Sequence, residues 1–296
     1  MQVLWFRCDV IIPSVSLGIL VVSVLIGSFF FLHEIQHEPD TERNCNMAEA
    51  AQSNWERYRT EGHQAFVLGY TGEVGKELMK ELAAAKLYKR VVLIGRRQVE
   101  LDPSFGPEFE QKVVDFEKLE EHAEVFEGLD TGYCALGTTR GKAGVKGFVR
   151  VDHDYVLIAA EMAKARGCKH FSLVSSQGAN KNSSMLYTRT KGQVEEALKV
   201  MHFDRISIYR PGVLMCDRTE DRPGERVARV LLKPISYLFP TAITTPTETV
   251  ARALINNAVA PSERKEEVYE NKAIHQLSGT SKLCGSQNYQ ETSKSK

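Results

Sequence analysis

Gln64-Ala65-Phe66-Val67-Leu68-Gly69-Tyr70-Thr71-Gly72-Glu73-Val74-Gly75 is a short apolar run that empties into three glycines spaced three apart. Ala65 to Leu68 has the length and composition of a buried strand, and the amphipathic run KELMKELAAAKL, Lys76 to Leu87, follows the last glycine. The order is strand, tight turn, helix. The first glycine permits the turn, the second lets a phosphate approach the backbone, and the third lets helix and strand pack closely. A dinucleotide pyrophosphate suits such a helix N-terminus, where unpaired N–H groups and the macrodipole favour negative charge.

Composition narrows the class around this stretch. A chain of 296 residues, 43% hydrophobic, suits one large or two modest domains with a sizeable core and is not a disordered protein. Its 38 basic and 38 acidic residues balance to a formal net charge of +0, so no global field draws nucleic acid, and direct nucleic-acid binding is not expected. Cys8, Cys45, Cys134, Cys168, Cys216 and Cys284 lie far apart with no CxxC pair. Neither a metal site nor a disulfide framework is indicated, and reduced, mostly buried thiols are expected.

Toward the N-terminus, Val10 to Leu32 is an uncharged run of 23 residues, long enough for a helix to cross a bilayer and too long for a signal-peptide core. Residues 1–46 therefore read as a transmembrane segment, 10–32, with a polar linker, and the segment is a candidate membrane anchor. Met47 opens MAEAAQSNWERYRT, an alternative start. Only Arg7 is basic ahead of the apolar run, so the charge bias slightly favours a non-cytosolic C-terminal part, whereas the thiols and the nucleotide chemistry favour the cytoplasm. The second argument decides the expectation. His33 and His37 read as a solvated helix face. Residues 33–60 read as linker plus a short helix, the folded domain as 60–277, and residues 278–296 as a polar, disordered tail.

Toward the C-terminus, Arg90 to Ile94 is a second strand, ending in Gly95-Arg96-Arg97. Where an NAD site carries an acidic residue on the ribose, two arginines stand instead. Their charge and bidentate geometry suit a 2′-phosphate, so the expected cofactor is NADPH. Val113 to Phe116 reads as a third strand, with Asp115 either at an adenine edge or capping the next helix. Gly132 to Gly137 reads as a fourth strand, running into the charged loop Thr138 to Gly144, expected to be mobile and to cover the site. Val151 to Arg166 reads as an amphipathic helix, with His153 a surface or packing residue, and Lys169 to Ser175 as a fifth strand.

That fifth strand ends in Ser175-Ser176, and Tyr187 and Lys191 follow at helical spacing. Residues i and i+4 share a helix face, which stacks phenol and ammonium. A free tyrosine, with a pKa of about 10, exchanges protons poorly at neutral pH. An adjacent ammonium stabilises the phenolate and brings acid–base transfer into range. A serine hydroxyl then holds and polarises a substrate carbonyl as hydride arrives.

GxxGxxG at Gly69, Gly72 and Gly75, the serine pair, Tyr187-Thr188-Arg189-Thr190-Lys191 and Arg210-Pro211-Gly212 together resemble an atypical or extended short-chain dehydrogenase/reductase. The resemblance spans roughly Trp55 to Leu277. It implies an α/β fold, a doubly wound, mostly parallel sheet of the NAD(P)-binding Rossmann type, with a small C-terminal cap over residues 215–245 that leaves little room for a sugar nucleotide. It also implies that Thr71, Gly72, Glu73 and Val74 line the pyrophosphate, Arg96 and Arg97 the 2′-phosphate, and Leu136 and Gly137 the nicotinamide side. Pro211 to Leu214 border the nicotinamide, and Arg222 reaches the cofactor. Tyr187 is the proton donor or acceptor, Lys191 its partner and ribose contact, and Ser176, preferred over Ser175, the third member. Tyr70 replaces the small residue expected after the first glycine and is expected to narrow the turn.

LIGRR, LGTTRGKAG and RPGVL resemble a vertebrate branch of that family associated with apoptosis, growth suppression, transcription and control of nuclear import. The branch implies protein partners, nuclear-transport or transcription factors, and a cytoplasmic location extending to the nucleus or nuclear envelope. Two functions follow. One is an NADPH-dependent reductase of an unknown carbonyl; the alternative is a binding protein regulated by NADPH.

Overall fold

Residues 41–215 and 244–279 are described in the computed structural model of the chain. The chain divides into two compact units, Met1–Glu49 and Ala50–Lys296. The second unit holds the strands β1 (Gln64–Leu68), β2 (Arg90–Gly95), β3 (Phe109–Val113), β4 (Thr131–Cys134), β5 (His170–Val174), β6 (Arg205–Arg210), β7 (Val213–Met215), β8 (Thr244–Pro246) and β9 (Glu266–Glu270). Seven of them form one sheet in the order β3-β2-β1-β4-β5-β6-β9. Every ladder in it is parallel. Strands β7 and β8 pair separately. Leu68 stands opposite both Ile94 and Cys134, so the C-terminal ends of β2, β1 and β4 are level. The strand order reverses between β1 and β4, and in open α/β sheets ligands bind outside the strand ends at that point.

The helices are α1 (Thr41–Thr60), α2 (Glu73–Ala85), α3 (Arg140–Val149), α4 (Tyr155–Ala165), α5 (Leu186–Val200), α6 (Thr247–Val259) and α7 (Asn271–Gly279). Successive strand residues point to opposite faces, and β1 divides accordingly. Ala65 and Val67 join the core that holds Val74 and Leu78 of α2 and Val250 and Leu254 of α6. Phe66 and Leu68 join the core that holds Val156 and Ala160 of α4 and Val194 and Leu198 of α5. A sheet covered on both faces explains why its central strands are continuous apolar runs rather than alternating ones.

Several boundaries differ from the sequence-based expectation. The third strand is Phe109–Val113 rather than Val113 to Phe116. Its residues are half-buried at the sheet edge, so it carries no apolar run, and Asp115 accepts from the Glu117 N–H at 2.9 Å to cap a 3₁₀ helix over Phe116–Phe126. The fourth strand stops at Cys134. The expected loop Thr138 to Gly144 is largely helix, because the N–H groups of Lys142 and Ala143 both find the Thr139 carbonyl at 3.0 Å. Gly144, at φ +70°, breaks that helix, and a π-turn over Arg150–Asp154 leads into α4.

The short helix expected after a linker within 33–60 is the long helix α1, which contains Met47. Its Trp55 and Tyr58 join the core, and Arg59 donates to the Ala85 carbonyl at the end of α2, so packing begins ahead of residue 60. The start of the expected tail is helical, since α7 runs to Gly279 and Ser278 Oγ donates to the His275 carbonyl. The apolar run 10–32, His33, His37, Arg222, most of the 215–245 cap and the tail beyond 279 lie outside the described residues. Among the described residues no helix is long and apolar enough to cross a membrane.

A buried polar cluster at the β5–β6–β9 edge carries a pH signature. His170 Nε2 meets Ser207 Oγ at 2.9 Å, and Ser207 Oγ donates to Glu267 Oε2 at 2.7 Å. Burial, aided by nearby Arg205, pushes His170 down to about 3. Burial also acts to raise the Glu267 pKa, but hydrogen bonds from Ser262, Arg205 and Ser207 outweigh it and hold the carboxyl at about 2.

Two outcomes are expected. A Cβ on Gly192 would lie 2.2 Å from the Lys181 nitrogen, so α5 lies directly on that backbone. Gly192→Ala is an overpacking change of about 1–3 kcal/mol, read as a fall of about 2–10 °C in the thermal midpoint; an unchanged midpoint would refute the close approach. An unfolded histidine takes up its proton near 6.5, whereas folded His170 refuses it until about 3. Between those values the unfolded state binds more protons, so stability falls as pH drops through this window. Urea midpoints measured from pH 7 to 4 should decline, with a shallower slope in His170→Gln.

Candidate active site

At the end of β1, Gly69 adopts φ +79°, and a Cβ there would stand 2.4 Å from the Ala135 carbonyl oxygen. A Cβ on Gly75 would stand 2.2 Å from the Gly69 carbonyl oxygen. Only glycine backbone therefore lets β1, the start of α2 and the chain after β4 meet. Gly72 is the N-cap of α2 and makes no side-chain cap bond. Lys76 N–H to the Gly72 carbonyl, 2.9 Å, is the first bond of the helix, and the N–H groups of Glu73, Val74 and Gly75 precede it. Together they form an anion cradle. Thr71 is exposed beside it, the Val74 side chain is buried beneath it, and the Glu73 carboxylate turns to Lys76.

Tyr70 does not narrow this turn. Its side chain is 1% exposed, with the ring against Gly95 and the hydroxyl donating to the Arg97 carbonyl at 2.9 Å. A buried phenol needs a polar partner, and the turn after β2 supplies it. That turn presents Arg96 and Arg97, both exposed and forming no ion pair with protein among the described residues.

Lys191 and its partners form the second part of the site. Lys191 is buried on α5, and its Nζ lies 2.9 Å from Asp152 Oδ1. Asp152 Oδ2 accepts the Thr138 N–H at 2.7 Å, which ties the ammonium to the chain following Leu136 and Gly137. Burial acts to lower the Lys191 pKa, but Asp152 and Tyr187 outweigh it and hold the group above its ordinary value, as a cation. Tyr187, one turn earlier on α5, is 46% exposed, with its ring centroid 5.7 Å from that of Phe148.

The two serines divide their roles. Ser175 Oγ donates to Glu195, a buried carboxylate whose other partner is Arg210, with Nε to Oε1 at 3.1 Å. Ser176 Oγ is buried and has no hydrogen-bond partner among the described residues. Of the pair, only the Ser176 hydroxyl lacks a hydrogen-bond partner among the described residues. Arg210 is thereby structural, and the chain after it is fixed by the Gly212 N–H donating to Thr245 Oγ1 at 3.1 Å and Asn271 Oδ1 at 3.0 Å. Leu214 follows in β7, partly buried, while Gly137 is exposed and Leu136 partly buried at the β4 end. His153 pairs with neighbouring Asp154, at 2.9 Å.

Sequence reading missed Asp152 and Glu195, although both left a signal. Asp152 lies on the buried helical stripe of Val156, Ala159, Ala160 and Ala163, a carboxylate where the pattern wants an apolar residue. Glu195 continues the face of Tyr187 and Lys191 at the same spacing.

A profile of the NAD(P)H-binding family matches residues 69–258. Protein HTATIP2 of Rattus norvegicus is 50% identical over 222 residues, which are 75% of this chain and 92% of that protein. Protein FMP52, mitochondrial, of Candida glabrata is 38% identical over 163 residues, 54% of this chain and 67% of that protein. Among solved structures, an oxidoreductase of the short-chain dehydrogenase/reductase family from Burkholderia thailandensis superposes with a TM-score of 0.53 at 17% identity, covering 72% of this chain and 92% of its own. MoeE5 in complex with UDP-glucose and NAD superposes with a TM-score of 0.54 at 15% identity, covering 70% and 75%. At such identities the structural likenesses speak for the fold alone. With the glycine cradle at the switch point of a parallel sheet, the matched profile and the 50% identical relative, the chain belongs to the NAD(P)H-binding family, with a Rossmann-like fold.

Proposed function

We propose that this protein is an NADPH-dependent reductase acting on a carbonyl substrate. The observation that carries the reading is the Ser176 hydroxyl, buried and unpartnered among the described residues, at the end of the strand joined through Ser175 and Glu195 to the helix of Tyr187 and Lys191. The cofactor fits the residues present. The N–H groups that open α2, at the glycine turn, would receive the pyrophosphate. The two exposed guanidiniums after β2 would receive a 2′-phosphate.

When bound, the reduced nicotinamide supplies a hydride to the carbonyl carbon. Ser176 Oγ–H donates to the carbonyl oxygen and polarises it. As negative charge collects on that oxygen, the Tyr187 phenol gives it a proton, completing the alcohol, and recovers a proton from the solvent it faces. Lys191 stabilises the phenolate left behind. Asp152 holds the ammonium in place and, through the Thr138 N–H, sets it relative to the chain beside the expected nicotinamide side. The same carboxylate fixes the geometry of the ammonium.

Fluorescence titration with NADPH and NADH tests the nucleotide half. Wild type should prefer NADPH, and Arg96→Ala/Arg97→Ala should weaken NADPH binding about 10- to 100-fold, the worth of one or two charge-assisted hydrogen bonds, with NADH little changed. Equal affinities in wild type would remove the 2′-phosphate role. A panel of aldehydes and ketones tests the chemistry. Tyr187→Phe should lower turnover by about 10²-fold or more while leaving NADPH affinity intact, and full activity in that variant would eliminate the assigned proton donor. Tight NADPH binding by wild type with no turnover on any carbonyl would favour the nucleotide-regulated binding protein instead.

A further inference from the structure

The segment Arg96-Arg97-Gln98-Val99 leaves β2 as a bend, and its two long cationic side chains are exposed. Such a segment binds an anion well only when its backbone is already in place, since ordering exposed arginines and a loose turn together opposes binding. Here the backbone is held at two points. Tyr70 Oη lies 2.9 Å from the Arg97 carbonyl oxygen and 3.2 Å from Gln111 Oε1. Gln111, on β3, takes the Val99 N–H at 3.0 Å and returns its own Nε2–H to the Val99 carbonyl at 2.8 Å. The phenol has one proton for two acceptors, and the shorter contact is to Arg97.

Tyr70 is also the residue between Gly69 and Thr71, so its backbone belongs to the pyrophosphate cradle while its side chain supports the arginine turn. The ring has room there because residue 95 is glycine: a Cβ would come within 2.7 Å of Tyr70 Cε1 and 3.0 Å of Oη. A buried hydroxyl is costly without a partner, which makes the bond to Arg97 restoring in both directions.

We infer that Tyr70 is a positioning residue for cofactor selectivity, a strut that fixes the Arg96–Val99 turn to the glycine turn so that the guanidiniums meet the 2′-phosphate. The inference rests on the NADPH reading above. An NADH molecule has no 2′-phosphate and gains nothing from an ordered arginine turn, so the strut should act on NADPH alone.

The test is titration of the full chain with NADPH and with NADH, comparing wild type, Tyr70→Phe, Gln111→Leu and Arg96→Ala/Arg97→Ala, with thermal midpoints alongside. Tyr70→Phe keeps the ring and removes the hydroxyl. It should weaken NADPH about 3- to 10-fold, the range for one net hydrogen bond, and leave NADH within about twofold. Gln111→Leu, which releases Val99 from the opposite side, should move the ratio in the same direction and serves if Tyr70→Phe does not fold. An unchanged NADPH-to-NADH ratio in both variants, while the arginine double variant loses its preference, would overturn the strut and keep the NADPH reading. Equal weakening of both nucleotides would also overturn it, marking Tyr70 as support for the turn at large. A wild type with no preference, or a double variant that keeps one, would remove the NADPH reading and the strut with it.

Discussion

Backbone meeting backbone at the end of β1 is the constraint on which the site depends. Ala135 comes so close to Gly69, and Gly69 so close to Gly75, that no Cβ fits at either glycine. A side chain there would push the β4 end or the helix away and open the sheet at its switch point. With the three segments in contact, the N-terminus of α2, the end of β2 and the end of β4 share one rim. The anion cradle and the arginine turn are arranged around that rim, and the rim itself requires no unusual side chain. The absence of side chains is what brings the groups together.

Buried charges then assign the roles. Lys191 and Asp152 are both almost fully enclosed, and so is Glu195, which takes Arg210 and Ser175. Removing a charge from water is expensive, and each of these buried groups has a partner of opposite charge fixed nearby. The result is a division of labour between neighbouring residues of one type. Ser175 is consumed in holding Glu195, and Ser176 is left with a hydroxyl that has no partner among the described residues. Arg210 is consumed in the same cluster, while Arg96 and Arg97, exposed at the end of β2, remain available to an anion.

Where the sequence misled, the reason is packing across the chain. The edge strand Phe109–Val113 has no apolar signature because, among the described strands, β2 alone pairs with it and its side chains are half in water. The glycines between Thr138 and Gly144 suggested a loose loop, yet all but one of the residues from Arg140 onward accept helix geometry, and only Gly144 departs from it. Tyr70 seemed an obstruction in a turn. Its side chain instead leaves the turn for a polar site on the adjoining strands, which no inspection of its immediate neighbours could have found.

The sequence alone determined the fold class, the nucleotide cradle and the candidate catalytic pair, because each is written in local spacing: glycines every third residue after an apolar strand, two arginines at the next strand end, a phenol and an ammonium one helical turn apart. Tertiary structure alone decided which serine lacks a partner among the described residues, what neutralises Lys191, and where the Tyr70 hydroxyl goes. Those outcomes depend on which distant segments come within hydrogen-bond distance once the sheet has closed. Spacing along the chain encodes what shares a face; only the packed fold determines what that face meets.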